Sequence, residues 1–368
     1  LDVFASETGY YNFATYTGSS PDIAVTIGQT YTFDQSDPTN WYHPVGFAYE
    51  PDGAHGSTWG GAELDEVEGK GELLYKINGA PTTCADAGDT GLDCYEPEFF
   101  NLREAWMAHK YTAELTITQA VADRSHGGAI YYFCHIHSKM SGKIIINNVN
   151  GSRYEPAERP TELSLYSPVV RSAIDATCGT TGVAPYTYGQ SMACSGSFLC
   201  GDLDTGVTDP RFGQCLQGVD CAMNKGMFGE STPDHASPVV TFMEQMIPHH
   251  LNAVNMAKLL LKTDLDSVAA TDGLEDILWD IVNLQNYQVH LFRNFLGANT
   301  GNTGISPGEV CTSGATCAML YVCTCATSGG GGRRSLLFAA VPKEDCTCEP
   351  RVGGPPRRGG AGKNHLND

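Results

Sequence analysis

Three metal-ligating side chains lie close together in Tyr131–Lys143, which reads YYFCHIHSKMSGK. The thiol of Cys134, the imidazole of His137 and the thioether of Met140 are spaced as C-x2-H-x2-M, directly after an aromatic, strand-like run. A mononuclear blue copper site needs this set plus a second histidine, because soft sulfur favours reduced copper and imidazole suits both oxidation states. The alternative is that Cys134 is a structural half-cystine and that the other two residues only pack.

The second histidine is expected at His43. Residues Ile23–Phe33 alternate β-branched and polar side chains, which indicates strands, and a polar loop then leads to His43, Pro44 and Phe47. The chain thus has a strand, a loop, a His-Pro-x-x-Phe segment and a late C-x2-H-x2-M, and this order resembles that of the cupredoxin family. The short ligand loop is most similar to that of amicyanin. The resemblance implies that residues 1–150 form a Greek-key β-sandwich with one copper ion. The implied ligands are His43, Cys134, His137 and Met140.

The middle of this region is longer than a small cupredoxin requires. Residues 51–100 are rich in Gly, Asp and Glu, and they contain Cys84 and Cys94 ten positions apart. We interpret this stretch as an inserted loop, and we expect a disulfide between its two cysteines to close it.

A further histidine, His135, directly follows the predicted copper-binding cysteine. Multicopper oxidases have a histidine here that passes electrons to more copper ions, but those enzymes have several other H-x-H pairs. This chain has no other H-x-H, and it has no Ser/His/Asp order, phosphate loop or paired-carboxylate motif. We therefore favour a protein that is not an enzyme, and we expect His135 on the opposite face of its strand, at the surface or behind the ligands.

The charge of the chain argues against one class of partner. There are 42 acidic and 22 basic residues, which give a net charge of −20. This charge repels phosphates, so no nucleic acid is expected as a partner. No apolar run has the length of a bilayer, so no membrane span is expected either.

Fourteen cysteines in Gly/Ser/Thr-rich sequence favour secretion into an extracellular, periplasmic or other oxidising compartment. Asn150 begins a glycosylation sequon, and the start of the chain, LDVFASETGYYNF, lacks a signal-peptide pattern, as expected of an already processed chain. If Cys134 binds copper, thirteen cysteines remain. One of them is then unpaired or bonded to another chain, or the copper assignment is wrong.

Residues 218–297 have the pattern of a helical domain. Ser237 is a good N-cap and Pro238 suits the first turn, so a long helix is predicted to begin there. A second run of helical period begins at Leu274 and ends at Gly297. Two such helices predict an antiparallel hairpin. Its apolar surface must be covered by flanking segments or by a second copy, so we expect self-association.

The flanks of this domain are rich in cysteine. Residues 151–217 are predicted to be a disulfide-stapled linker, and residues 298–368 a tail that is partly flexible because long stretches have too little apolar content to fold. The tail contains two C-x-C pairs, for which we favour disulfides over Cu(I) binding.

The first long helix has a group of soft ligands. Its Met-Ile-Pro-His-His motif resembles a ferritin-like helical family, some of whose members are periplasmic copper-binding proteins. Met243, Met246 and His250 fall on one stripe of the helix, with His249 and Met256 on the neighbouring stripe. Such a face suits Cu(I). Core packing by the methionines is the alternative.

We therefore predict a secreted copper protein. Its β-domain would hold one blue copper ion for electron transfer or copper handling, and its helical domain would bind further Cu(I). The expected partner is a redox protein or a copper donor or acceptor. The alternative is a structural subunit of an extracellular assembly that keeps copper-protein folds as scaffolds and is stabilised by disulfides.

Overall fold

The computed structural model confirms that β-sheets dominate the N-terminal part of the chain and helices the C-terminal part. It describes residues 1–56, 63–67, 71–165, 171–183, 210–227, 237–299, 321–325 and 346–350.

Two four-stranded sheets are formed within the described part of residues 1–165. The strands are β1 (Ile23–Thr26), β2 (Thr30–Asp34), β3 (Val45–Ala48), β4 (Leu73–Ile77), β5 (Ala80–Pro81), β6 (Tyr111–Thr116), β7 (Ala129–Cys134) and β8 (Gly142–Asn147). One sheet has the order β1-β8-β7-β3, with β1 parallel to β8, and the other has the antiparallel order β2-β6-β4-β5. Gly28, at φ 84°, turns the chain from β1 in one sheet to β2 in the other.

Short helices fill the connections around the sheets. They are α1 (Gly53–Gly56), α2 (Leu64–Val67), α3 (Leu92–Tyr95), α4 (Arg103–Met107) and α5 (Gln119–Arg124), with 3-10 turns at Pro38–Asn40 and Glu96–Phe100. Strands β3 and β7 are buried along their whole length. This burial explains why their sequences, VGFA and AIYYFC, are short apolar runs and do not alternate with polar residues.

Residues 51–100 are more than an inserted loop. They supply β4, which lies inside the second sheet between β6 and β5, and its Leu73 and Tyr75 are buried. A disulfide joins Cys84 to Cys94. The prediction of an inserted loop does not account for β4 and β5. A five-residue strand among many Gly and Asp residues gives only a weak periodic signal.

The C-terminal part is built on two long helices. Its helices are α6 (Ala173–Cys178), α7 (Pro210–Lys225), α8 (Pro238–Thr263), α9 (Leu265–Ala270) and α10 (Leu274–Asn299). Helix α8 has Ser237 as N-cap and begins at Pro238, as predicted. Helices α8 and α10 pack against each other, and α7 packs on α8. Helix α7 lies partly in the predicted linker, and a disulfide between Cys178 and Cys215 ties it to α6.

The helices and the sheets share one hydrophobic core. Ala257 and Leu261 of α8 and Trp279 and Val282 of α10 belong to the same buried cluster as the interior of the two sheets. Part of the apolar surface of the hairpin is therefore covered from within the chain. Other apolar side chains of the two helices stay exposed, namely Val239, Phe242, Met256, Ile277 and Leu284, and self-association stays a prediction.

Two further strands lie in the tail. Strands β9 (Tyr321–Cys325) and β10 (Cys346–Pro350) pair antiparallel, so that their two C-x-C segments lie opposite each other. Within the ranges given above, every helix is too short or too polar to span a bilayer.

Candidate metal centre

The pairing of β3 with β7 brings His43 to Cys134. Val45 pairs with Cys134 in this antiparallel ladder, and His43 lies two residues before Val45. The carbonyl oxygen of His43 accepts hydrogen bonds from the Tyr11 hydroxyl (2.8 Å) and from Gln35 Nε2 (3.0 Å). These bonds fix the backbone of His43 beside the end of β7.

Backbone amides of the loop after β7 donate hydrogen bonds that hold this loop in place. The amide of His137 points at the Cys134 sulfur (3.3 Å), and the amide of His135 donates to the Pro44 carbonyl (2.9 Å). The Asp52 carboxylate accepts from the Lys139 amide at 2.8 and 2.7 Å. Burial raises the pKa of Asp52 to about 6, although these backbone bonds act in the opposite direction.

Two imidazoles and one thiol converge at this point. His43 Nδ1 and His137 Nδ1 each lie 3.7 Å from Cys134 Sγ, and the ring centroids are 4.6 Å apart. Metal–nitrogen bonds of about 2.0 Å and metal–sulfur bonds of about 2.3 Å, at tetrahedral to trigonal angles, put nitrogen and sulfur about 3.5–3.7 Å apart. The three side chains therefore fit one shared transition-metal ion. Met140 is fully buried on the same loop.

The protonation states suit ligation by nitrogen and sulfur. Burial lowers the pKa of His43 to about 3, against the opposing effect of its bond to Asn283. Burial, and then the repulsion of His43, lower the pKa of His137 well below its usual range. Burial raises the pKa of Cys134 to about 12, so this free thiol keeps its proton until a metal displaces it.

Helix α10 lies against the two imidazoles, and no local sequence pattern indicates this contact. Asn283 Oδ1 lies 3.2 Å from His43 Nε2. An amide oxygen only accepts, so Nε2 is the protonated nitrogen and Nδ1 keeps the lone pair that a metal needs. The ring of Tyr287 lies 6.4 Å from that of His137, whose Nε2 is buried with no hydrogen-bond partner among the described residues.

His135 is buried, so the surface alternative offered for it is wrong. It does point away from the candidate metal centre: its Nε2 contacts Glu63 at 2.9 Å and its Nδ1 contacts Glu96. Burial alone would lower the pKa of His135, but Glu96 and Glu63 outweigh it and raise the pKa to about 10. Both partners come from residues 51–100, which the sequence analysis treated as a loop.

The predicted ligands on α8 differ in exposure. Met243, Met246 and His250 are half-buried, whereas His249 and Met256 are exposed. The rings of His249 and His250 are 6.0 Å apart. Cu(I) binding by this group stays a prediction.

The predicted glycosylation site lies in a turn. Asn150 is exposed, and its side-chain oxygen accepts hydrogen bonds from the amide and hydroxyl of Ser152. The amide nitrogen that would bear a glycan is therefore at the surface, and glycosylation stays a prediction.

Comparisons with protein-family models, with curated proteins and with solved structures found no match. A functional assignment therefore depends on the geometry of the site.

Proposed function

We propose that this chain is a copper protein with a blue copper site for single-electron transfer, built on a cupredoxin-like sandwich. The ligands are His43, Cys134, His137 and Met140. The observation that supports this most directly is the approach of two imidazole Nδ1 atoms to within 3.7 Å of one buried free thiol. Bound copper would supply a one-electron redox couple that these residues stabilise in both oxidation states.

Electron transfer is favoured over copper delivery because the site is closed. The four side chains are at most 1% exposed, and α10 lies over the two imidazoles. A protein that hands over its metal needs an accessible ligand, whereas electron transfer proceeds without contact between the partner and the metal and is favoured by a fixed ligand geometry. The hydrogen bonds to His43 and to Lys139 supply that rigidity.

The expected partner is a redox protein, and the expected compartment is oxidising. The disulfides Cys84–Cys94 and Cys178–Cys215 are compatible with such a compartment. The same disulfides are the reason that we include secretion in this proposal.

A spectrum tests the proposal. The purified full chain with Cu(II) should show an intense visible band from thiolate-to-copper charge transfer, and Cys134→Ser should abolish it. Lys110→Met, which removes an exposed ion pair with Asp34, is the control and should retain the band. A wild-type chain that stays colourless after addition of Cu(II) overturns the copper assignment and favours a structural subunit.

A further inference from the structure

We propose a second metal site at Glu63, Asp65 and His135, for a divalent first-row cation that prefers nitrogen and oxygen ligands, such as zinc. One ligand atom from each residue lies within 4.8 Å of the ligand atoms of the other two. The group is distinct from the candidate copper site, because it has no sulfur and its imidazole points away from Cys134. Oxygen and nitrogen donors select harder cations than a thiolate does.

The two nitrogens of His135 are held as a metal-bound histidine requires. Its Nε2 is hydrogen-bonded to Glu63 at 2.9 Å, so a bound cation would replace the proton between these two atoms, and its Nδ1 is bound by Glu96. A carboxylate on the far nitrogen of a ligating histidine fixes its tautomer and orients the ring. Glu96 is thus the positioning residue, and Glu63 and Asp65 are the carboxylate ligands.

The site is built into the fold. His135 and Glu63 are 5% and 4% exposed, and Asp65 is half-buried. Glu63 forms a bridge with Ala48 of β3 at the start of α2, and the amide of His135 is bonded to the Pro44 carbonyl. Three carboxylates around one imidazole form a net negative group, and a divalent cation balances most of that charge.

Zinc binding by the full-length Cys134→Ser chain tests the site, because that substitution removes the thiolate of the first centre. After removal of metal, this chain should bind zinc in a competition titration against a chromophoric chelator. In the same background, His135→Asn should lose this binding, and Glu96→Gln should weaken it about 10–100-fold. Glu98→Gln removes a carboxylate from the same 3-10 turn outside the site, and should leave the affinity unchanged.

The His135 substitution removes the imidazole that Glu63 and Glu96 both contact and can prevent folding, so a second variant is needed. Asp65→Asn changes a half-buried ligand and should weaken zinc binding at least tenfold while circular dichroism stays that of the parent. Unchanged affinity in folded Asp65→Asn, or no zinc bound by the Cys134→Ser parent, overturns the site. Neither outcome depends on copper binding at Cys134, so the two proposals fail separately.

Discussion

The side chains that hold His43 and His135 in position come from distant parts of the chain. The spacing C-x2-H-x2-M and the pair His43-Pro44 are local patterns, and the structure brings His43, Cys134 and His137 together. Asn283 lies 240 positions from His43, and Glu63 and Glu96 lie far from His135 in sequence. Such contacts depend on tertiary packing, which short-range patterns do not encode.

Asn283 should control how tightly the first site holds its metal. Asn283→Leu removes the acceptor that fixes the His43 tautomer, so the affinity for Cu(II) should fall about 10–100-fold. The visible band should remain, because none of the four ligands changes. Competition with a Cu(II) chelator, followed at that band, measures the affinity.

Leu284→Ala, at a neighbouring exposed position of α10, is the matched control and should retain the wild-type affinity. If Asn283→Leu binds copper as tightly as this control does, the hydrogen bond has no role in holding the metal.

At the level of elements, long periodic segments were predicted well and short ones poorly. The start of α8 at Pro238 and the start of α10 at Leu274 are confirmed. Strand β4 was missed because five residues among turn-forming sequence give little periodicity. Helix α7 was missed because its cysteines and glycines favoured a disulfide-stapled linker, although its apolar residues do have helical period. Tertiary packing and the disulfide to α6 stabilise α7, beyond its own propensity.

Arg103 should be the main polar contact that docks α10 on the sheets. Its buried side chain binds Asp276 (2.8 Å) and Glu275 (3.1 Å) in the first turn of α10 and lies 5.5 Å over the Trp279 ring. Arg103→Ala should lower the free energy of unfolding by about 1–3 kcal/mol, measured by urea denaturation.

Lys110→Ala breaks an ion pair that is exposed on both sides, and should cost under about 1 kcal/mol. Equal losses in the two variants would show that the contact between Arg103 and α10 adds no stability beyond that of a surface pair.

At the scale of the molecule, the two sheets share one buried cluster with α8 and α10, where the sequence suggested separate domains. Composition shifts mark changes of secondary structure, and they do not reveal which apolar faces meet. Lys258 of α8 also connects the helices to the N-terminal segment of the chain. Its buried ammonium donates hydrogen bonds to the carbonyls of Ser6 (2.9 Å) and Glu7 (2.7 Å).

This lysine should make stability depend on pH. Burial lowers the pKa of Lys258 from 10.5 to about 7. Between these values the unfolded chain holds a proton that the folded chain has lost, so the contribution of Lys258 to the free energy of unfolding rises with pH. From pH 7 to pH 9.5, the stability of the wild type relative to Lys258→Met should grow by about 2–3 kcal/mol, at about 1.4 kcal/mol per pKa unit.

Urea denaturation at the two pH values measures this difference. His135, with its raised pKa, loses stability over the same window, but it is present in both proteins and cancels. The exposed substitution Lys110→Met should show no such change relative to the wild type. A constant difference between wild type and Lys258→Met would mean that Lys258 stays protonated in the folded chain.

The packing of α10 beside both imidazoles has a consequence for how fast the proposed copper site would fill. His43, Cys134 and His137 are almost fully buried, so copper added to the purified chain would enter only as the packing around these side chains fluctuates. The visible band should therefore develop over time after Cu(II) is added, and its final intensity is read once it no longer changes.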